Sequence, residues 1–473
     1  MTKSLLALIL IATLVSVSTL VGAVHFCAAQ NGVNVSGIIG SDTTWASTGS
    51  PYTLAGNILV NSGVTLTVGS ETTLNLNGFY IIDNGSLIIQ QGDAVNLGNT
   101  TAYILVNGVL SAIGTNSNPI QINGNGPNFI SYPQAVYPTI TFSQSSTGWN
   151  NATNSGSIIE NADVNLVEIE VHSSVKISND TINGGEPNQY GYTPTLSFLG
   201  GSSLIYANSV SNLIIGLYGG NCSVTNNEII NGSLGFTSGD TTIANNIISN
   251  SQRYNPNSNA GIGFEAGGGG LNGHILLVEN NLITGYANGI QILSPSEGIA
   301  GAPSILTIQN NTIANNTVGI YLSNSFVPTI AYNNIENNTL TLELAKDPSG
   351  QSSSFSASNN WWGTINQDEI NQSIFDFKDD FTLGAVTFVP FLTSENPEAT
   401  PNLNAPIPIA TPSPTPTPSP SPTPSPSVPE FPTWIATVVL AIISMLAVYA
   451  AKRRTLRRVE GPAANLSGKN ESC

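Results

Sequence analysis

The 473-residue chain has 28 acidic and 11 basic side chains, a formal net charge of −17, yet charged residues make up only 8% of it. So few Lys, Glu and Arg cannot furnish the wet faces of amphipathic helices; Gly, Asn, Ser and Thr fill the polar share, which suits short strands joined by turns. From residue 30 to 431 there are 26 acids against 4 bases (Lys176, Arg253, Lys346 and Lys378), too few cations to neutralise a phosphate backbone, so nucleic acid is excluded as a partner.

In chain order, Lys3 and the apolar stretch 5–24 predict a signal peptide over residues 1–29, with Cys27-Ala28-Ala29 supplying small residues at the cleavage spacing. Residues 30–395 then form one repetitive region. Its first segments alternate apolar and polar positions, as in Val64-Thr65-Leu66-Thr67-Val68 and Thr73-Leu74-Asn75-Leu76, the period of a β-strand. Further along, a unit of apolar, x, x, Asn/Asp, x, apolar begins at Ile177, Ile205, Val224, Ile243, Val278, Ile308, Ile330 and Ala357. Its intervals of 28, 19, 19, 35, 30, 22 and 27 residues are those of solenoid coils, in which strands are fixed and turns absorb length. The plainest copies carry the pairs Asn226-Asn227, Asn245-Asn246, Asn280-Asn281 and Asn310-Asn311, expected at corners because Asn accepts left-handed dihedrals and its amide can bond the next coil. A second short strand about 12 residues after each start completes the coil, as in residues 289–292 and 319–322. The expected fold is all-β: a single-stranded right-handed parallel β-helix of about twelve coils, closed near Trp361 and Trp362 by a cap over residues 357–393. Cys222 is the lone cysteine of this region and reads as a buried thiol.

Beyond the body, residues 396–431 are rich in Thr-Pro and Ser-Pro and read as an extended, O-glycosylated stalk. Residues 433–451 are uncharged and apolar, long enough at about 1.5 Å per residue to cross the hydrocarbon core as one C-terminal transmembrane helix (432–451). Lys452, Arg453, Arg454, Arg457 and Arg458 place the tail, 452–473, in the cytoplasm and the body outside, anchored to the membrane. Eleven Asn-x-Ser/Thr sequons between Asn34 and Asn371 fit an exported glycoprotein.

Two kinds of site are conceivable on such a body. Glu168, Glu170 and His172 share one face of an alternating strand, with Val167, Ile169 and Val171 on the other. Neighbours on one face lie about 7 Å apart, within the carboxylate separation of inverting glycosidases, and the trio could equally hold calcium or a transition metal; the favoured reading is a solvated face partly balanced by Lys176. Arg253, on a long insertion at 251–259, is either a lyase base or a solvated loop residue. No cofactor is called for; calcium stays open without a clear motif, and no metal site is assigned. For binding, Tyr190 and Tyr192 on the insertion 184–194 and Tyr254 on 251–259 are candidates for stacking on sugar rings. The balance favours a non-catalytic surface protein that binds glycan or other envelope components, or contributes structure or adhesion. The alternative is an extracellular polysaccharide lyase or glycoside hydrolase.

The opening stretch Ser50-Pro51-Tyr52 to Val68 and the closing Asn359-Asn360-Trp361-Trp362-Gly363-Thr364, with Ile374-Phe375-Asp376-Phe377 and Val389-Pro390-Phe391-Leu392, resemble a family of archaeal and bacterial parallel β-helix (pectin-lyase-like) surface proteins over residues 35–393. Val428-Pro429-Glu430-Phe431-Pro432 before the apolar run resembles the PEF-type sorting signal of archaeal surface proteins, which implies a membrane sorting enzyme acting near Pro429–Pro432.

Overall fold

The computed structural model describes residues 32–98, 101–126, 128–131, 134–186, 193–251, 260–265, 274–293, 305–323, 327–346 and 353–405, with Met445. The expected signal peptide and cytoplasmic tail lie outside these residues, as does the apolar run apart from Met445; among the described residues no helix is long and apolar enough to cross a membrane.

One coil shows how the chain is wound. The strand Ile214–Thr225 ends in Val224-Thr225; after a corner of two residues comes Glu228–Ile230, then Ser233–Phe236, and the chain returns as Thr241–Ala244. The return lies in parallel register on the coil before, Cys222 opposite Thr241 and Val224 opposite Ile243. Repeated along the chain, this places nearly all strands in three parallel stacks. The first runs from Thr43–Trp45 to Thr329–Ala331 and holds twelve strands among the described residues. At about 4.8 Å per strand the stack is roughly 50 Å tall. The molecule is thus all-β and a parallel solenoid.

The recurring unit accounts for two of the three faces. Its first apolar residue fills the inward column of the first stack: Ile177, Ile205, Val224, Ile243, Val278, Ile308 and Ile330, each at most 1% exposed. Its last fills that of the second: Ile182, Val210, Ile229, Ile248, Ile283, Ile313 and Ile335, at most 2% exposed. The third column is bulkier, with Phe142, Phe198, Phe236 and Phe264 fully or almost fully buried and the last two rings 4.7 Å apart. Cys222 is buried, which pushes its thiol up to about 12.

Between the first and second stacks the two corner asparagines divide the work. The first of each pair takes left-handed dihedrals, with φ of 60° at Asn226, 57° at Asn245, 54° at Asn280 and 52° at Asn310. The second turns inward and joins a buried ladder of Asn208, Asn227, Asn246, Asn281, Asn311, Asn333 and Asn360. The rungs from Asn227 to Asn333 repeat one pattern. Asn246 donates from Nδ2 to the carbonyls of Val224 (2.9 Å) and Ala244 (3.0 Å) and to Oδ1 of Asn281 (2.9 Å), which also accepts from the Asn246 backbone N–H (2.9 Å). A tight buried corner would otherwise strand these backbone groups.

Asp180 occupies the rung below Asn208. Its Oδ1 accepts from the Ala162 N–H at 2.7 Å, while Oδ2, standing where an Asn would present its amide, has no partner. Burial drives its pKa well above the usual carboxylate range. Asp93, in the corresponding corner of an earlier coil, accepts from the Thr72 and Gln90 N–H groups and is raised to about 6 by burial; so is Asp83, which faces inward between Val60 and Val106.

At the C-terminal end the tryptophans, both expected to cover the stack, take opposite sides. Trp362 is buried beneath the cap, whereas Trp361 points outward and donates from Nε1 to Glu336 Oε2 at 3.1 Å. The chain then forms the short helix Gln367–Ser373, N-capped by Asn366 and burying Ile370, and Ile374–Phe375 closes the third stack against Leu340–Ala345. Residues 396–405, assigned above to the stalk, lie back along the outside of the first corner.

Because burial raises these carboxyl pKa values, the folded state holds its protons more tightly than the unfolded chain. Stability from this source is present below the ordinary carboxylate pKa, about 4, and is lost as pH rises through the folded values. Asp180→Asn restores the missing amide, so its melting temperature should exceed that of the parent at pH 7, with the gain shrinking at pH 4. Asn246→Ala should act oppositely, orphaning buried groups at about 1–3 kcal/mol each; thermal melts of both variants at the two pH values check this.

Candidate ligand-binding face

The third stack carries the candidate residues on its outer face. Glu168–Val171 alternates as the sequence implied, with Val167, Ile169 and Val171 buried and Glu168, Glu170 and His172 half-buried outside. Glu170 and His172 are paired, Oε1 to Nε2 at 2.8 Å. Glu168 accepts from the Thr195 hydroxyl at 2.9 Å, and Thr195 lies 3.0 Å from the Ser197 hydroxyl. Burial, followed by the nearby charge of Glu170, raises the Glu168 pKa, while the Thr195 hydrogen bond opposes the rise. Burial, with the Glu168 charge behind it, likewise lifts the Tyr137 phenol to about 12. Lys176 does not balance this face. It belongs to the first stack, nearly buried, and pairs with Glu160 at 3.1 Å, so the sequence reading of a charge-balanced trio is corrected.

Register carries this acidic end into a longer feature. Glu170 stands opposite Ser197, Ser197 opposite Gly216, Gly216 opposite Gly235, and Gly235 opposite Gly263; Gln291, Tyr321 and Glu343 follow. Seven coil spacings separate Glu170 from Glu343, about 34 Å. The three middle positions of this column are glycines, and two of them, Gly235 and Gly263, are open. A Cβ added at Gly235 would meet nothing within 4 Å, and one at Gly263 nothing closer than 3.7 Å. At Gly216 the ring of Tyr218 already occupies the space, lying across the glycine with 41% of the residue exposed. At the far end burial raises the pKa of Glu343, and burial with the Glu343 charge raises that of Tyr321.

Both tyrosine-bearing insertions join this face at the same border. Each leaves a second-stack strand, Thr181–Asn183 or Ile247–Ser249, and re-enters the third stack at Thr195–Tyr206 or Ala260–Glu265. Tyr190, Tyr192, Arg253 and Tyr254 themselves lie outside the described residues. Among the described residues no group of three or more His, Cys, Asp or Glu side chains is placed to hold a metal ion. The glycine floor, Tyr218 and the Gln291–Tyr321–Glu343 end were not singled out from sequence. Their signal is an apolar-Gly-apolar triplet at three coil positions: Ile215-Gly216-Leu217, Leu234-Gly235-Phe236 and Ile262-Gly263-Phe264.

No protein-family model matches the chain, and no curated protein or solved structure matches it.

Glu168→Gln keeps the acceptor for Thr195 and removes a half-buried charge. With the folded pKa raised, that charge costs stability above about pH 4. The variant should therefore melt higher than the parent at pH 7 and alike at pH 4, and calorimetry at the two pH values decides it.

Proposed function

We propose that this chain is a membrane-anchored, cell-surface right-handed parallel β-helix whose third face holds an extended neutral glycan. The observation that carries the reading is Gly235. Its φ is ordinary and its Cβ position is empty space, so neither backbone nor packing calls for glycine there. Glycine inside a strand costs roughly 0.5–1 kcal/mol relative to alanine. In a strand interior that pattern marks close approach by something else. A sugar chain fits, because it lies flat, stacks on an aromatic ring such as Tyr218, and bonds to the carboxylates, amide and hydroxyls at either end. The excess of acid over base in the body argues against polyuronates and for uncharged sugars. The signal peptide, Pro-rich stalk, apolar run and basic tail support display outside the membrane, and the sorting-signal resemblance supports processing there.

A second reading rests on Glu168. A carboxyl with raised pKa beside a second carboxylate is the pairing a glycoside hydrolase uses, one as acid and one as base. One experiment separates the two. Full-length protein in detergent is passed over immobilised neutral polysaccharides, and products are assayed in parallel. Gly235→Phe should abolish retention while leaving the melting temperature within a few degrees of the parent. Retention unaffected by that substitution would exclude the floor as the site, and chain shortening lost in Glu168→Gln would establish the hydrolase instead.

A further inference from the structure

The row of left-handed asparagines has an occupant. Past the cap, residues 396–405 run back along the outside of the first corner, from the coil of Tyr332 to that of Tyr206. Asn396 donates from Nδ2 to Asn310 Oδ1 (3.1 Å) and to the Tyr332 carbonyl (2.6 Å), and its N–H bonds Asn334 Oδ1 at 2.7 Å. Asn280 Nδ2 donates to the Glu398 carbonyl at 2.6 Å, and Asn245 Oδ1 accepts from the Asn402 N–H at 3.0 Å. Asn226 Nδ2 reaches the carbonyls of Leu403 (3.1 Å) and Ala405 (2.7 Å), and the Tyr206 hydroxyl donates to Ala405 as well. Ala399 is the one fully buried residue of the strap.

Two physical features set this contact apart from the core. Most bonds join coil side chains to the strap's backbone, which folds into turns at 396–399 and 402–405, and only Ala399 is fully buried, so the contact holds little apolar packing. It is also laid out in series. Tension on the chain beyond Ala405 loads the Tyr206 and Asn226 contacts first and those at Asn396 last, so the strap yields one coil at a time. Bonds loaded in sequence separate at lower force than the coils, whose ladders and stacks are loaded together.

We infer that residues 396–405 are a releasable tether. Docked, they hold Ala405 beside Tyr206, mid-stack. Peeled, they add ten residues of reach, about 30 Å at roughly 3.3 Å each, and move the point of pull to the cap. This rests on the reading above that the chain beyond Ala405 leads to an anchor, but its docking does not depend on that reading or on any glycan.

The test uses the full chain in detergent micelles, with Cys27 and Cys473 changed to Ser and spin labels at Glu228→Cys and Thr400→Cys, both exposed sites. The parent should give one narrow, short distance distribution. Ala399→Glu, which places bulk and charge at the buried strap position while leaving every coil residue unchanged, should give a broad and longer one. With the body held by its N-terminal end and the tail pulled in an optical trap, the parent should show a reversible lengthening of some tens of ångströms before any coil unfolds, and Ala399→Glu should lack it. A broad distribution in the parent, or one unchanged by Ala399→Glu, overturns the docking. A docked parent in which coils unfold with no earlier step overturns the release, whatever the glycan and membrane experiments show.

Discussion

A corner that turns sharply with its backbone buried is the constraint on which this molecule depends. Each coil must pass from the first stack to the second without water to bond the turning N–H and C=O groups. Only a side chain bearing both donor and acceptor can serve the coil on either side. In Asn227, Asn246, Asn281 and Asn311 the amide closes the carbonyls of its own and the preceding coil, while the oxygen receives the N–H and amide of the rung before. Each rung is complete only because the next exists. The ladder thus adds a cooperative, directional term to a core whose apolar columns alone would tolerate slippage.

That term also decides where the chain is free to vary. From Asn179 to Asn333 the laddered corner is two residues in every coil, whereas the long insertions at 184–194, 251–259, 266–273 and 294–304 fall at the other two corners. The exception supports the rule. Between Val109–Ile113 and Ile120–Gly124 the first corner does carry an insertion, residues 114–119, and there the register puts Ile120, which has no side-chain amide, at the ladder position. At that corner the long insertion and the amide rung do not occur together. Variation is thereby driven to the two borders of the third stack, the face with the open glycine floor.

This explains what could be read from the sequence. The coil period was legible because the ladder fixes spacing between the two apolar positions of the unit, and Ile177 and Ile182 keep it even where Asp180 replaces asparagine. The division of labour within each pair was not legible, since Asn226 and Asn227 are the same residue type with opposite fates. Trp361 and Trp362 are alike in this respect, since one points outward to Glu336 and the other is buried. The acidic strand was found by its alternation, yet its surroundings were not. Glu170 meets Ser197 and then three glycines only through register across coils of unequal length, and Lys176, near in sequence, belongs to another face. The strap was least legible of all. Residues 396–405 have the composition of a free linker, and their partners lie from 62 to 199 residues away.

The left-handed asparagines tie these observations together. A left-handed corner needs only a residue that accepts positive φ, and Ala207, Tyr332 and Glu71 show that side chains other than asparagine stand there. The run of asparagine at 226, 245, 280 and 310 therefore does more than turn the chain. Facing outward, these amides have no coil to serve, and what they bond is the backbone or side chain of residues 396–405. Among the described residues the contact ends at Ala405, which meets Asn226 and Tyr206. The inward asparagines hold the coils to one another, and the outward ones hold the chain's own exit to the coils. One residue type at adjacent positions thus sets both how the solenoid is closed and where it is attached.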